Sequence, residues 1–186
     1  PLQGQSPYSA SKIGADRLAE SFYRAFDLPV CTLRPFNTYG PRQSARAVIP
    51  TIVVQALAQD EIYLGDLAPK RDLTYVADTI EGFIRMAEAG DEVLGQEINL
   101  GSDSEISVGG LAQRIFALLG RSPRIVCDPG RVRPAKSEVY RLLADTGKAR
   151  ALLGWSPRVS LDEGLRRTID WIQSHLDLYR PEEYQR

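Results

Sequence analysis

Between residues 8 and 26 the apolar side chains Ile13, Leu18, Phe22, Tyr23 and Phe26 recur at helical spacing, while Lys12, Asp16, Arg17, Glu20 and Arg24 occupy other faces. The pattern predicts a two-sided helix of about five turns. Ser6 offers an N-cap, and Pro7 suits the first helical position, where its missing N–H is no loss. LPVCTLRP, residues 28–35, is a short apolar run stopped by Pro35, as in a buried parallel strand. Helical spacing returns over 47–59, once past Pro50. EIYLGD and RDLTYV follow as short extended runs broken by Gly65 and Pro69. A helix is predicted over 77–89, a strand at QEINLGS, a helix over 107–120 closed by Gly120, and a strand at RIVCD. DTGKARALLG and LDEGLRRTIDWIQSHL add a short helix and a longer amphipathic one. Strands alternating with helices predict an α/β protein with some parallel sheet. No internal repeat, low-complexity tract or clean linker divides it.

Composition sets the scale. With 186 residues, 43% hydrophobic and 25% charged, the chain can bury one substantial core and no more than two small ones. Its net charge of −1, with acids and bases interspersed, argues against a nucleic-acid surface or a polybasic membrane patch. An anionic ligand therefore has to be met by local arginines. Cys31 and Cys127 lie in apolar strand-like runs, which predicts buried free thiols in a reducing compartment, the cytoplasm, rather than a disulfide. No run approaches the ~18 apolar residues of a membrane span, and no charged-then-apolar leader is present. The chain opens on Pro1 rather than methionine, which reads as a piece of something longer.

The first helix carries the candidate chemistry. Tyr8 falls in its first turn and Lys12 four residues on, so the ammonium lies within reach of the phenol or of a ligand held between them. The helix N-terminus and the ammonium both favour the phenolate, which suits a tyrosine that takes a proton from a sugar or alcohol hydroxyl. Taken alone, the same spacing also describes a surface pair.

The segment PYSASKIGADRLAESFYRAFDLPVCTLRPFNTYGPRQSARAVIPTI, residues 7–52, resembles the stretch after the active-site tyrosine in extended short-chain dehydrogenases of the nucleotide-sugar epimerase and 4,6-dehydratase family. The likeness is strongest to the hexose 4,6-dehydratases. It continues through RDLTYVAD, EINLGSDSEIS, RVRPAKSEVYRLLAD and KARALLGWSP, in the family's order and over nearly the whole chain. The resemblance implies that Tyr8 is the general acid/base and that Lys12 is its partner, which also binds the ribose of NAD or NADP. Pro35 and Phe36 would adjoin that cofactor at the carboxyl end of their strand, where open parallel sheets place ligands. Asn37 and Arg42 would contact the substrate diphosphate, Arg71 and Arg133 would clamp it, and Val48 and Ile49 would line the nucleotide pocket. Asn99 would be a further ligand position. The plainer readings stand beside these: a turn-rich loop for Asn37-Thr38-Tyr39-Gly40-Pro41, solvated arginines, helix-core packing for Val48 and Ile49, and a strand-end turn residue for Asn99. His175, the single histidine, reads as an exposed helix residue, and Trp155 and Trp171 as packing residues.

The departures from the family pattern are informative. The 186 residues contain no glycine-rich phosphate loop between a strand and a helix, and GSDSEISVGG lacks the required spacing. The family's Ser/Thr partner of the tyrosine and its Asp-Glu pair lie upstream of the matched region. Lys136 stands where many relatives carry an acid. The expected architecture is thus the C-terminal part of a Rossmann-type parallel sheet with an attached small α/β nucleotide-sugar-binding domain, spanning residues 1–186. The expected function is oxidation at C4 of a nucleotide-linked hexose, as a 4,6-dehydratase or epimerase, with the isolated chain inactive and binding no cofactor tightly. The alternatives are a non-catalytic nucleotide-diphosphate-binding module and a structural fragment. The resemblance further implies a homodimer through the helix over 8–26.

Overall fold

The computed structural model describes residues 4–132, 134 and 137–179. Ser6 caps the first helix, α1 (Pro7–Phe26), by accepting from the Ser9 N–H at 3.1 Å, and the Ser9 hydroxyl accepts from the Ser6 N–H at 2.9 Å. Asp27 closes the helix in the left-handed conformation. The run expected as one strand over 28–35 is regular only at β1 (Thr32–Pro35). After a break at Phe36 it resumes as β2 (Asn37–Tyr39), where the plainer sequence reading gave a loop. Next come α2 (Val48–Ala58), β3 (Glu61–Leu64), β4 (Lys70–Arg71), β5 (Leu73–Tyr75) and α3 (Val76–Glu88). Then follow β6 (Glu97–Leu100), β7 (Ile106–Ser107), α4 (Val108–Leu119), β8 (Arg124–Cys127), β9 (Arg141–Leu142), α5 (Gly147–Leu153) and α6 (Leu161–Ser174).

Three strand pairs are parallel: β1 with β6, β2 with β5, and β3 with β8. A fourth sheet sets β4 between antiparallel β7 and parallel β9. The α/β alternation with parallel pairing is therefore as expected. Two apolar cores form. The larger gathers Ile49, Ile52 and Val53 of α2, Leu111 and Ile115 of α4, and Leu165 and Ile172 of α6 over β3 and β5. The smaller packs Met86 of α3 and Ala149 and Leu153 of α5, with Trp155, against Ile98 and Leu100 of β6.

The cysteines differ from expectation: Cys31 is half-buried and Cys127, at the end of a two-stranded sheet, is exposed, and both are free. His175 also differs. It is half-buried at the C-cap of α6, stacked on Trp171 at 4.4 Å, with Nδ1 2.8 Å from the Trp171 carbonyl oxygen.

α1 is two-sided as predicted, yet it buries none of its residues; Leu18 is 60% and Phe26 71% exposed. Its seat on the sheet is largely electrostatic. Arg34 of β1 pairs with Asp16 at 2.6 Å and with Glu97 of β6 at 2.8 Å, and Arg17 reaches Glu97 as well. The Tyr23 ring covers Gly95, whose φ of +69° and lack of a Cβ permit the contact.

Two helix glycines test this packing. A Cβ at Gly82 of α3 would run into the buried Leu100 side chain, so Gly82→Val should cost about 2 kcal/mol or more by overpacking. Gly14 of α1 has nothing within 4 Å, so Gly14→Ala should gain about 0.5–1 kcal/mol from helix propensity. Urea unfolding of both variants measures the two shifts.

Candidate functional site

The chain changes sheets at two points: Phe36 separates β1 from β2, and Asp72 separates β4 from β5. Asp72 is wholly buried. Its carboxylate accepts from the Ser102 N–H at 2.6 Å, the Ser102 hydroxyl at 2.7 Å and the Ala144 N–H at 3.2 Å. Its backbone N–H donates to the Leu142 carbonyl at 2.9 Å, and its carbonyl accepts from Nδ2 of Asn37 at 3.0 Å. Gly101 makes room, since a Cβ there would strike the Asp72 carboxylate and Ala144. The side chain of Asp72 thus ties the turn after β6 to the segment after β9, while its backbone bonds to Leu142 of β9 and to Asn37 of β2.

Beside this junction opens a cavity of about 400 Å³. Asn37, Val48, Ile49 and Arg71, all singled out in the sequence, line it, as do Gln43, Arg46, Asp66, Arg131 and Glu138, which were not. Val48 and Ile49 open α2, whose N-cap, Ala47, has no side chain to cap the helix, so the positive end of α2 borders the same space. Arg71 is already engaged. Its Nη2 donates to Glu138 at 2.6 Å and its Nη1 to the carbonyls of Val139 at 2.6 Å and Lys70 at 2.9 Å. Arg131 pairs with Asp128 at 3.0 Å. The Arg46 guanidinium forms no hydrogen bond or ion pair among the described residues. Burial, reinforced by the acidic groups of Tyr75, Asp78 and Asp162, pushes the phenol of the cavity tyrosine, Tyr39, far above the usual range, and its hydroxyl donates to the Leu161 carbonyl.

Tyr8 and Lys12 lie apart from the cavity lining. Tyr8 is 71% exposed in the first turn of α1, with Lys12 Nζ 5.5 Å from its ring centroid. Tyr8, Lys12 and Asp16 fall at i, i+4 and i+8, so the pair shares its stripe with the carboxylate that Arg34 holds. Pro35 is exposed and Phe36 half-buried at the carboxyl end of β1, and the Phe36 N–H donates to the Leu100 carbonyl. Two expected ligand residues fall outside both groups. Arg42 is exposed at φ +65° and does not line the cavity; Gln43 and Arg46 do. Asn99 turns its amide to the Asp145 carbonyl at 3.4 Å. Arg133 and Lys136 lie outside the described residues. Among the described residues no His, Cys, Asp or Glu group could hold a metal, and no helix is long and apolar enough to cross a membrane. Sequence reasoning passed over Arg46 because nothing in its local pattern sets it off; the usable signal is a cation one residue before an uncapped helix start.

Known proteins resemble the chain in sequence and in fold. The family model described as GDP-mannose 4,6 dehydratase matches residues 1–168. A dTDP-glucose 4,6-dehydratase of Xanthomonas campestris pv. campestris is 34% identical over 180 residues, covering 92% of this chain and 50% of the relative. The crystal structure of dTDP-glucose 4,6-dehydratase from Bacillus anthracis in complex with NAD superimposes with a TM-score of 0.89 at 28% identity, covering 98% of this chain and 57% of that one. A UDP-glucuronic acid 4-epimerase from Bacillus cereus, in complex with UDP-glucuronic acid and NAD, gives 0.83 at 30% identity over 94% of this chain and 54% of that one. The chain spans about half the length of these dehydratase and epimerase relatives.

The Asp72 junction makes a specific demand. In Asp72→Asn the amide nitrogen would face N–H and O–H donors that now meet a carboxylate, so stability should fall by about 2 kcal/mol or more in urea unfolding.

Proposed function

The chain belongs to the GDP-mannose 4,6 dehydratase family, and we propose that it is the substrate-holding part of an NAD(P)-dependent enzyme that oxidises C4 of a nucleotide-linked hexose. The outcome is either elimination across C5 and C6, a lyase reaction, or epimerisation, an isomerase reaction. The convergence of Asn37, Val48, Ile49 and Arg71 on one cavity supports this reading most strongly. That space borders a helix N-terminus, an arrangement suited to a nucleoside diphosphate. Asn37 keeps one amide hydrogen for a ligand while the other anchors it to Asp72. Arg71 reaches a phosphate by exchanging Glu138 for it.

In the reaction the Tyr8 phenolate accepts the proton of the C4 hydroxyl and becomes the phenol, with the Lys12 ammonium beside its ring as the opposing charge. NAD(P) supplies the hydride acceptor when bound. Tyr8 and Lys12, exposed and presenting a hydroxyl and an ammonium, fit its ribose end, with Pro35 and Phe36 adjoining. No glycine-rich loop is present in the 186 residues for the dinucleotide pyrophosphate, so this chain alone should hold NAD(P) negligibly. A second copy covering Leu18, Phe22 and Phe26 would form the dimer, and a reducing compartment such as the cytoplasm suits two free thiols.

Calorimetric titration of the chain with UDP, GDP and dTDP tests the reading. Saturable binding of at least one, with no measurable heat for NAD, is the expected result. Binding of NAD alone would contradict it. In the complete protein Tyr8→Phe should lower kcat by about 10²-fold or more and leave nucleotide-sugar affinity unchanged; wild-type turnover would remove Tyr8 from the chemistry.

A further inference from the structure

The charges around the cavity are unequal in their freedom to meet a ligand. Arg46, Arg71 and Arg131 line it together with Asp66 and Glu138. Arg71 is 18% exposed and its partner Glu138 only 10%, and the guanidinium also serves two backbone carbonyls. A phosphate that displaced Glu138 would exchange one charge-assisted bond for another. It would also leave a poorly hydrated carboxylate facing an anionic ligand, which cancels much of the gain. Arg131 is held by Asp128. Arg46 has neither constraint: it is exposed, lines the cavity, and has no partner among the described residues. A phosphate meeting it breaks no existing ion pair.

We propose that Arg46 is the residue that sets affinity for the diphosphate of the ligand, ahead of Arg71 and Arg131. The inference rests on the reading of the cavity as a nucleoside-diphosphate site. Its position suits the task. The adjoining residue, Ala47, is the N-cap of the 11-residue α2 and bears no capping side chain, so the guanidinium and the positive helix end approach the ligand from one side. Asp66 and Glu138 supply the opposing negative charge, which keeps a diphosphate from settling elsewhere in the cavity.

The test compares wild type, Arg46→Ala, Arg46→Lys and Arg71→Lys in calorimetric titrations with UDP, GDP and dTDP, using uridine, guanosine and thymidine as controls without phosphate. Arg46→Ala should weaken the best-bound diphosphate by about tenfold or more, as loss of a charged hydrogen bond requires, and leave the matching nucleoside unaffected. Arg46→Lys should recover part of the loss, and Arg71→Lys should cost less than Arg46→Ala. The dependence of log Kd on log salt should flatten in Arg46→Ala, a change that general loosening of the fold would not produce. Because Arg46 has no partner to lose, its urea midpoint should stay at the wild-type value. Unchanged diphosphate affinity in Arg46→Ala, or a larger loss in Arg71→Lys, would overturn the inference while leaving the cavity reading intact. A wild-type chain that binds none of the three diphosphates would overturn both.

Discussion

Asp72 has no exposed surface, and its buried carboxyl oxygens are satisfied by the Ser102 N–H, the Ser102 hydroxyl and the Ala144 N–H, which converge on them. Those donors come from the turn after β6 and from the segment after β9. The residue's own backbone joins β4 to β5 and binds Asn37 at the start of β2. Asn37 and Arg71 of the cavity wall are therefore positioned beside one residue, whose carboxylate anchors it to Ser102 and Ala144 and whose backbone carbonyl holds Asn37. Arg71 shares that placement because it is the preceding residue in the chain, and its guanidinium is then fixed by Glu138 and the Val139 carbonyl. Few alternatives could bring such short strands together. β4, β7 and β9 are two residues long each, too short to define a sheet by backbone pairing alone.

The candidate chemistry is divided between two supports of different character. The cavity is built on the larger apolar core, where α2 is buried along most of its length. Tyr8 and Lys12 ride on a helix with no buried residue, located by the Asp16–Arg34–Glu97 ion pairs and one ring on a glycine. On the proposed function, binding falls to the region supported by the larger apolar core, and proton transfer to a helix seated by partly exposed charges. The account expects nucleotide binding to persist where proton transfer does not.

Much of the fold was legible because local rules and tertiary context agree. Ser6-Pro7 and Gly120 mark helix ends, and the helices expected from 107 and from Leu161 begin within a residue of those positions. The failures fall where context overrides pattern. LPVCTLRP reads as a strand stopped by Pro35 with a turn-rich loop beyond, and RDLTYV as one extended run, but the chain changes sheets at Phe36 and at Asp72, and no alternation of apolar and polar positions signals a change of partner. RIVC looks interior, yet among the described residues β8 pairs only with β3, and Cys127 at its end is exposed. Of the residues that line the cavity, Asn37, Val48, Ile49 and Arg71 are singled out by motif resemblance, whereas Arg46, Gln43 and Glu138 are not, since they face a space that only the folded chain encloses. Arg42 and Asn99, which motif position also singles out, do not line the cavity; Arg42 has a left-handed backbone and the Asn99 amide bonds to the Asp145 carbonyl.

The central claim is that one cavity, separate from α1, receives the nucleoside diphosphate. Hydrogen–deuterium exchange of the chain, with and without a saturating nucleoside diphosphate, tests it most directly. The account predicts added protection at residues 37–39, 47–51, 64–66 and 70–73 and none across 7–26. Protection concentrated in α1, or none around the cavity at saturation, would contradict it.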